Sequence, residues 1–138
     1  MKTILVDAVN TTIIKDVSGN FVKYKELFDL LETYPNTKLI VTNANNEQMI
    51  AFGLNDVPYQ VFTMKHDPDK PDPLYFKTLL EEYNLFPSDV LYFEHNLDAV
   101  TSARSLGILT YHYDKDVKDI LGLKKFLDEG CGEKVVSA

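Results

Sequence analysis

The chain has 138 residues, 45% of them hydrophobic and 25% charged, and a formal charge of −7. That length suits one domain burying well over half of its unfolded surface, and the composition is that of a folded protein, not a disordered one. An acidic chain with no basic cluster beyond Lys124-Lys125 excludes nucleic acid and anionic membranes as expected partners.

A small phosphorylated molecule stays open, because one lysine and a few backbone N–H groups suffice to hold it. The single cysteine, Cys131, permits no intramolecular disulfide. The N-terminal apolar run is interrupted by Asp7, too early for a signal peptide or a membrane span, so the expected location is cytoplasmic.

In chain order, residues 3–6 form a short apolar, β-rich run ending at Asp7, the pattern of a buried strand. Two β-prone runs over 12–17 and 21–22 flank Ser18-Gly19-Asn20 and predict a hairpin. Tyr24, Leu27, Phe28, Leu31 and Tyr34 recur at helical spacing until Pro35-Asn36. A strand is expected at 38–41, a short helix at 46–52 stopped by Gly53, and a strand at 59–64. After a loop rich in Pro and Asp at 65–73 come a helix at 74–83, a strand at 90–93 and a helix at 98–106 closed by Gly107. A strand at 108–113 and an amphipathic helix at 117–127 complete a domain spanning 1–129, with 130–138 expected as a frayed tail.

Short apolar strands alternating with helices predict an α/β fold: a mostly parallel, five-stranded sheet with helices on both faces. Such sheets bind ligands at the carboxyl ends of their strands. Four places qualify. Asp7 directly follows the first strand, where an acid is either a rigidly held nucleophile or the cap of a turn. Thr42-Asn43-Ala44-Asn45 either cradles an anion or caps the next helix. Lys70, held between residues of Asp69-Lys70-Pro71-Asp72-Pro73, either neutralises charge in the site or is a solvated lysine. Glu94, His95 and Asp98 either gather a cation or leave Asp98 as a helix N-cap and His95 as a structural histidine.

The order and spacing of the four together resemble the motifs of the haloacid-dehalogenase (HAD) superfamily. Those motifs are an Asp after strand one, Thr/Ser-Asn after strand two, Lys-Pro-Asp-Pro before a helix, and acids after a later strand. The resemblance covers residues 3–113, and the stretch from Phe93-Glu94-His95-Asn96 to Gly107-Ile108 aligns without gaps. It implies a Rossmann-like HAD fold with the hairpin as a flap. Only about thirty residues separate Thr11 from Thr42, so no cap domain fits between them. It implies Asp7 as nucleophile, Lys70 as the lysine steadying nucleophile and phosphoryl group, and Thr11, Thr42 and Asn43 as substrate-binding residues. Magnesium would be held by Asp7, the carbonyl of Val9 and Glu94.

Two departures bear on activity. The family's second Asp, the general acid–base, is Val9 here, and losing such a group costs on the order of 100- to 10,000-fold in rate. The usual magnesium-binding Asp of the fourth motif is His95, a poor ligand for an ion that prefers oxygen. Asp7-Ala8-Val9-Asn10-Thr11 also resembles the first motif of the magnesium-free dehalogenases (Asp-Ala-Tyr-Gly-Thr). Asn96 matches their Asn, while Ala99 stands where their next Asp belongs.

Three functions follow: a weak or specialised hydrolase of phosphate esters, a catalytically inactive binding protein, or magnesium-free chemistry related to dehalogenation. An uncapped site would be open enough for a small phosphorylated molecule or a macromolecular substrate. It also leaves room for a homo-oligomer, for which the many Tyr and Phe residues offer interface material.

Overall fold

The structure, a computed structural model, describes residues 1–132. Its elements are β1 (Thr3–Asp7), β2 (Ile13–Lys15), β3 (Phe21–Lys23), α1 (Lys25–Glu32), β4 (Lys38–Thr42), α2 (Asn46–Ala51), β5 (Gln60–Thr63) and α3 (Pro73–Glu82). They continue with β6 (Val90–Glu94), α4 (Leu97–Ser105), β7 (Leu109–His112) and α5 (Ile120–Cys131). Short 3-10 turns at Leu54–Asp56 and Pro87–Asp89 were not foreseen.

Five strands pair in the order β5-β4-β1-β6-β7, every pair parallel, and β2 and β3 form the separate antiparallel hairpin. The alternation of β1 explains the layers, because successive side chains leave a strand on opposite faces. Ile4 and Val6 pack with Leu27 and Leu31 of α1 and Leu123 and Leu127 of α5. Leu5 packs with Tyr75, Phe76 and Leu79 of α3 and Ala103 of α4. Each buried Leu, Ile or Phe contributes about 1.5–3 kcal/mol.

The register sets the site. Val6 lies opposite both Ile40 and Phe93, so β1, β4 and β6 end together and present Asp7, Thr42 and Glu94 at one edge. The chain winds outward from β1 to β5 and then crosses to the other side of β1 for β6. That reversal opens a crevice at the carboxyl ends of the strands. Between β1 and β4 stand only the hairpin and α1, so no cap domain is inserted there.

Several boundaries differ from the sequence reading. Helix α4 is capped by Asn96, whose Oδ1 accepts the Ala99 N–H at 3.0 Å, and Asp98 is exposed in its first turn instead of serving as the cap. Helix α5 starts at Ile120, where Asp119 accepts the Gly122 N–H, and runs through Gly130 and Cys131. Those two residues were expected in the tail. They stay helical because Leu123, Leu127 and Cys131 continue one apolar stripe. Gly130 is also needed there, since a Cβ would meet the Leu91 side chain at 2.6 Å. The remainder of the expected tail, 133–138, lies outside the described residues. Of the Tyr and Phe residues only Phe86 is exposed, so the aromatic content fills the core and gives no argument for a subunit interface.

Candidate active site

Asp7, the last residue of β1, is buried, and both of its oxygens are engaged. Oδ1 accepts a hydrogen bond from Lys70 Nζ at 2.6 Å. Oδ2 accepts from the Thr11 hydroxyl at 2.6 Å and from the His95 backbone N–H at 3.3 Å, and lies 2.6 Å from His95 Nδ1. Lys70 is aimed inward because Asn43 Oδ1 takes its backbone N–H at 2.8 Å. Its ammonium group also donates to Glu94 Oε1 at 2.8 Å and to the Val41 carbonyl at 3.3 Å. Glu94, fully buried at the end of β6, accepts from Tyr92 OH on Oε1 and from the Asn96 N–H on Oε2 at 3.1 Å.

His95 Nδ1 thus faces two carboxylate oxygens, Asp7 Oδ2 at 2.6 Å and Glu94 Oε2 at 3.3 Å. Oxygens of that kind only accept, so Nδ1 carries a proton. Burial opposes the charge on His95, but hydrogen bonds to Asp7 and Glu94 and their negative charges push its pKa up to about 9. Burial would raise Asp7, yet the Lys70 charge and the His95 hydrogen bond and charge outweigh it and hold the carboxyl well below the usual range. Lys70 is likewise held firmly protonated: its burial is overcome by the charges of Asp7 and Glu94. Two acids and two cations therefore make a neutral, closed cluster, the form in which buried charges are tolerated.

A cavity of about 390 Å3 opens over the cluster. Asp7, Lys70, Glu94 and His95 form its floor, Thr42 and Asn43 one wall, and Gln48, His66 and Asp69 its mouth. Thr42 Oγ1 accepts the Ala44 N–H at 3.2 Å. Val9 and Phe52 also line the cavity. Thr11, expected to bind substrate, is fully buried, does not line this cavity, and gives its hydroxyl proton to Asp7 Oδ2. The hairpin leans on the end of α2 through an edge contact of Phe21 with Phe52, ring centres 4.7 Å apart. Asp7, Glu94 and His95 offer three ligand atoms within 4.8 Å of one another.

The structure therefore gathers Asp7, Thr42, Asn43, Lys70 and Glu94 in one place, as the motif order implied. Sequence reading missed Tyr92, although its spacing of two from Glu94 on a strand puts both on one face. It also missed the trio at the mouth, which carries no signal in linear spacing.

No family model matches the sequence, and neither does any curated protein. Solved structures do match. A HAD-family enzyme from Bacteroides thetaiotaomicron, in complex with magnesium and inorganic phosphate, is 14% identical over 80% of this chain and 93% of its own, with a TM-score of 0.64. The D,D-heptose 1,7-bisphosphate phosphatase of B. bronchiseptica, complexed with magnesium and phosphate, is 16% identical over 80% of this chain and 79% of its own, with a TM-score of 0.63. An uncharacterized protein from Listeria monocytogenes covers 91% of this chain and 99% of its own at 14% identity and a TM-score of 0.58. The chain has the fold of the HAD superfamily, shared with these structures. Among the described residues no helix is long and apolar enough to cross a membrane.

Proposed function

We propose that this HAD-fold protein is a slow phosphohydrolase that works without magnesium, with Asp7 as nucleophile and protonated His95 in the metal's place. The observation that carries this reading is the position of His95 Nδ1 between Asp7 Oδ2 and Glu94 Oε2. Magnesium wants near-octahedral oxygen ligands at about 2.0–2.1 Å. A proton-bearing nitrogen standing between the two acids does not fit that ion. The charge count supports the replacement. A magnesium ion together with the aspartate expected at position 95 supplies one net positive charge, and so does an imidazolium.

On this reading Lys70 and His95 keep Asp7 ionised and offset the repulsion between it and an incoming phosphate dianion. Oδ1 attacks phosphorus, the ester bond breaks, and water later releases phosphate from the aspartyl intermediate. Asn43 and Thr42, on the cavity wall, are the residues that would meet the phosphoryl oxygens.

The test is turnover of small phosphate monoesters with EDTA and with added magnesium. Slow hydrolysis, equal in both and abolished by Asp7→Asn, is expected. A tenfold or greater stimulation by magnesium would overturn the metal-free reading. His95→Asp should reverse the behaviour: its melting temperature should rise when magnesium is added, while that of the parent protein should not move. A second reading, a binding protein without turnover, is favoured by Val9 at the acid–base position. Phosphate binding by calorimetry with no hydrolysis would select it.

A further inference from the structure

We propose that His66, held at the cavity mouth by Asp69 and Gln48, is the general acid that protonates the leaving oxygen of a phosphate monoester, the task Val9 cannot perform. The proposal rests on the reading of Asp7 as nucleophile.

His66 Nδ1 lies 2.8 Å from Asp69 Oδ1 and Nε2 lies 2.6 Å from Gln48 Oε1. The orientation of the Gln48 amide is set independently by the capping box of α2: its Oε1 accepts the Asn45 N–H at 3.0 Å, while its backbone N–H donates to Asn45 Oδ1 at 2.9 Å. Both ring nitrogens of His66 therefore face acceptor oxygens, so a ring that gives up a proton from Nε2 keeps the one on Nδ1 against Asp69.

The backbone supports the placement. Lys65 and His66 are consecutive non-glycine residues in the left-handed region, with φ of 53° and 66°. Strain of this kind persists only where the surrounding structure holds the backbone in place, and it clusters at functional sites. The same loop turns Lys70 inward onto Asp7 and keeps His66 at the mouth, so both face one cavity. The His66 and Asp69 side chains are 42% and 52% exposed, so water reaches both.

In the step, Asp7 Oδ1 forms a bond to phosphorus as the bond from phosphorus to the ester oxygen breaks. The electron pair leaves on that oxygen, which takes the proton from His66 Nε2 as it swings from Gln48. The neutral ring keeps Nδ1–H on Asp69. Water then attacks phosphorus, gives a proton back to His66, and frees the Asp7 carboxylate and phosphate.

The test is a series of phosphate monoesters running from nitrophenyl to alkyl leaving groups, assayed with the full chain and with His66→Gln. Wild-type rates should depend shallowly on leaving-group basicity. In His66→Gln the alkyl member should fall about 100- to 10,000-fold and the nitrophenyl member far less, because a good leaving group needs no proton. Asp69→Asn should steepen the dependence in the same direction. A uniform loss across the series, no loss, or a wild type that cannot turn over the alkyl member would overturn the proposal. Asp7→Asn is the separate control: turnover surviving it would sink the nucleophile reading, whatever the series shows.

Discussion

Two aspartate–histidine pairs share one cavity, and almost the same contact has different consequences in each. Asp7 meets His95 Nδ1 at 2.6 Å, and Asp69 meets His66 Nδ1 at 2.8 Å. The first pair is buried and locked to Lys70 and Glu94, so each charge depends on the others. The second is open to water and tied only to Gln48. A contact distance alone therefore says little about what a pair contributes. In the buried set the loss of one partner strands an uncompensated charge; in the exposed pair solvent takes over.

The largest expected effect removes the charge that binds the buried set together. Lys70→Met leaves Asp7 and Glu94 with a single cation and should destabilise the protein by about 3–5 kcal/mol. Urea denaturation measures it. A loss below about 1 kcal/mol would mean that the cluster is well hydrated and the contrast with the rim is false.

The next effect is the pH dependence that only the buried pair should show. The pKa of His95 rises from 6.5 to about 9 on folding, so its contribution is fully present below pH 6.5 and is lost as pH climbs through 9. Asp7, whose folded pKa is depressed, contributes stability that is present above its unfolded pKa near 3.8 and lost as pH falls through and below it. Stability followed by denaturant titration should therefore decline between pH 6.5 and 9, and His95→Asn should flatten that decline. An equal decline in the variant would place its source elsewhere.

A smaller effect lies at the N-terminus of α2. The Asn45 side chain caps α2, while its backbone N–H holds Gln48 Oε1; Asn45→Ala should cost about 1 kcal/mol, readable as a shift in the denaturation midpoint. Residue 45 keeps the backbone N–H that holds Gln48 Oε1, so the ester series should be unchanged in this variant.

How much of this was legible in the sequence differs between the two pairs. The fold was readable because short apolar runs and amphipathic stretches alternate along the chain, and local periodicity encodes both. Asp7, Lys70 and Glu94 were readable because each follows a strand or precedes a helix at a fixed distance, and a parallel sheet brings such positions to one edge. The partner of His95 was not, because only the register of β1 against β6 brings residue 95 onto residue 7. Nor was the rim trio, since Gln48 sits on α2 and His66 in a loop eighteen positions away. Asp98 was misread as a cap because Asn96, two positions earlier, begins the helix.

The smallest expected effect on stability is also the one that separates the pairs most cleanly. His66 makes its two contacts at the surface, where an exposed ion pair contributes about 0–1 kcal/mol, and its backbone conformation is strained whatever side chain it carries. Replacing it by Gln keeps a hydrogen-bonding group of similar reach and removes only the titratable ring. His66→Gln should thus change unfolding free energy by less than about 0.5 kcal/mol, the range for surface substitutions. His95→Gln, which removes the same ring from the buried pair, should cost several times more, because Asp7 and Glu94 keep their charges and lose a cation. Denaturation of the two variants side by side decides it. Equal losses would mean that His66 is a structural tether of its loop, and the strain at residues 65 and 66 would then serve folding and not proton transfer.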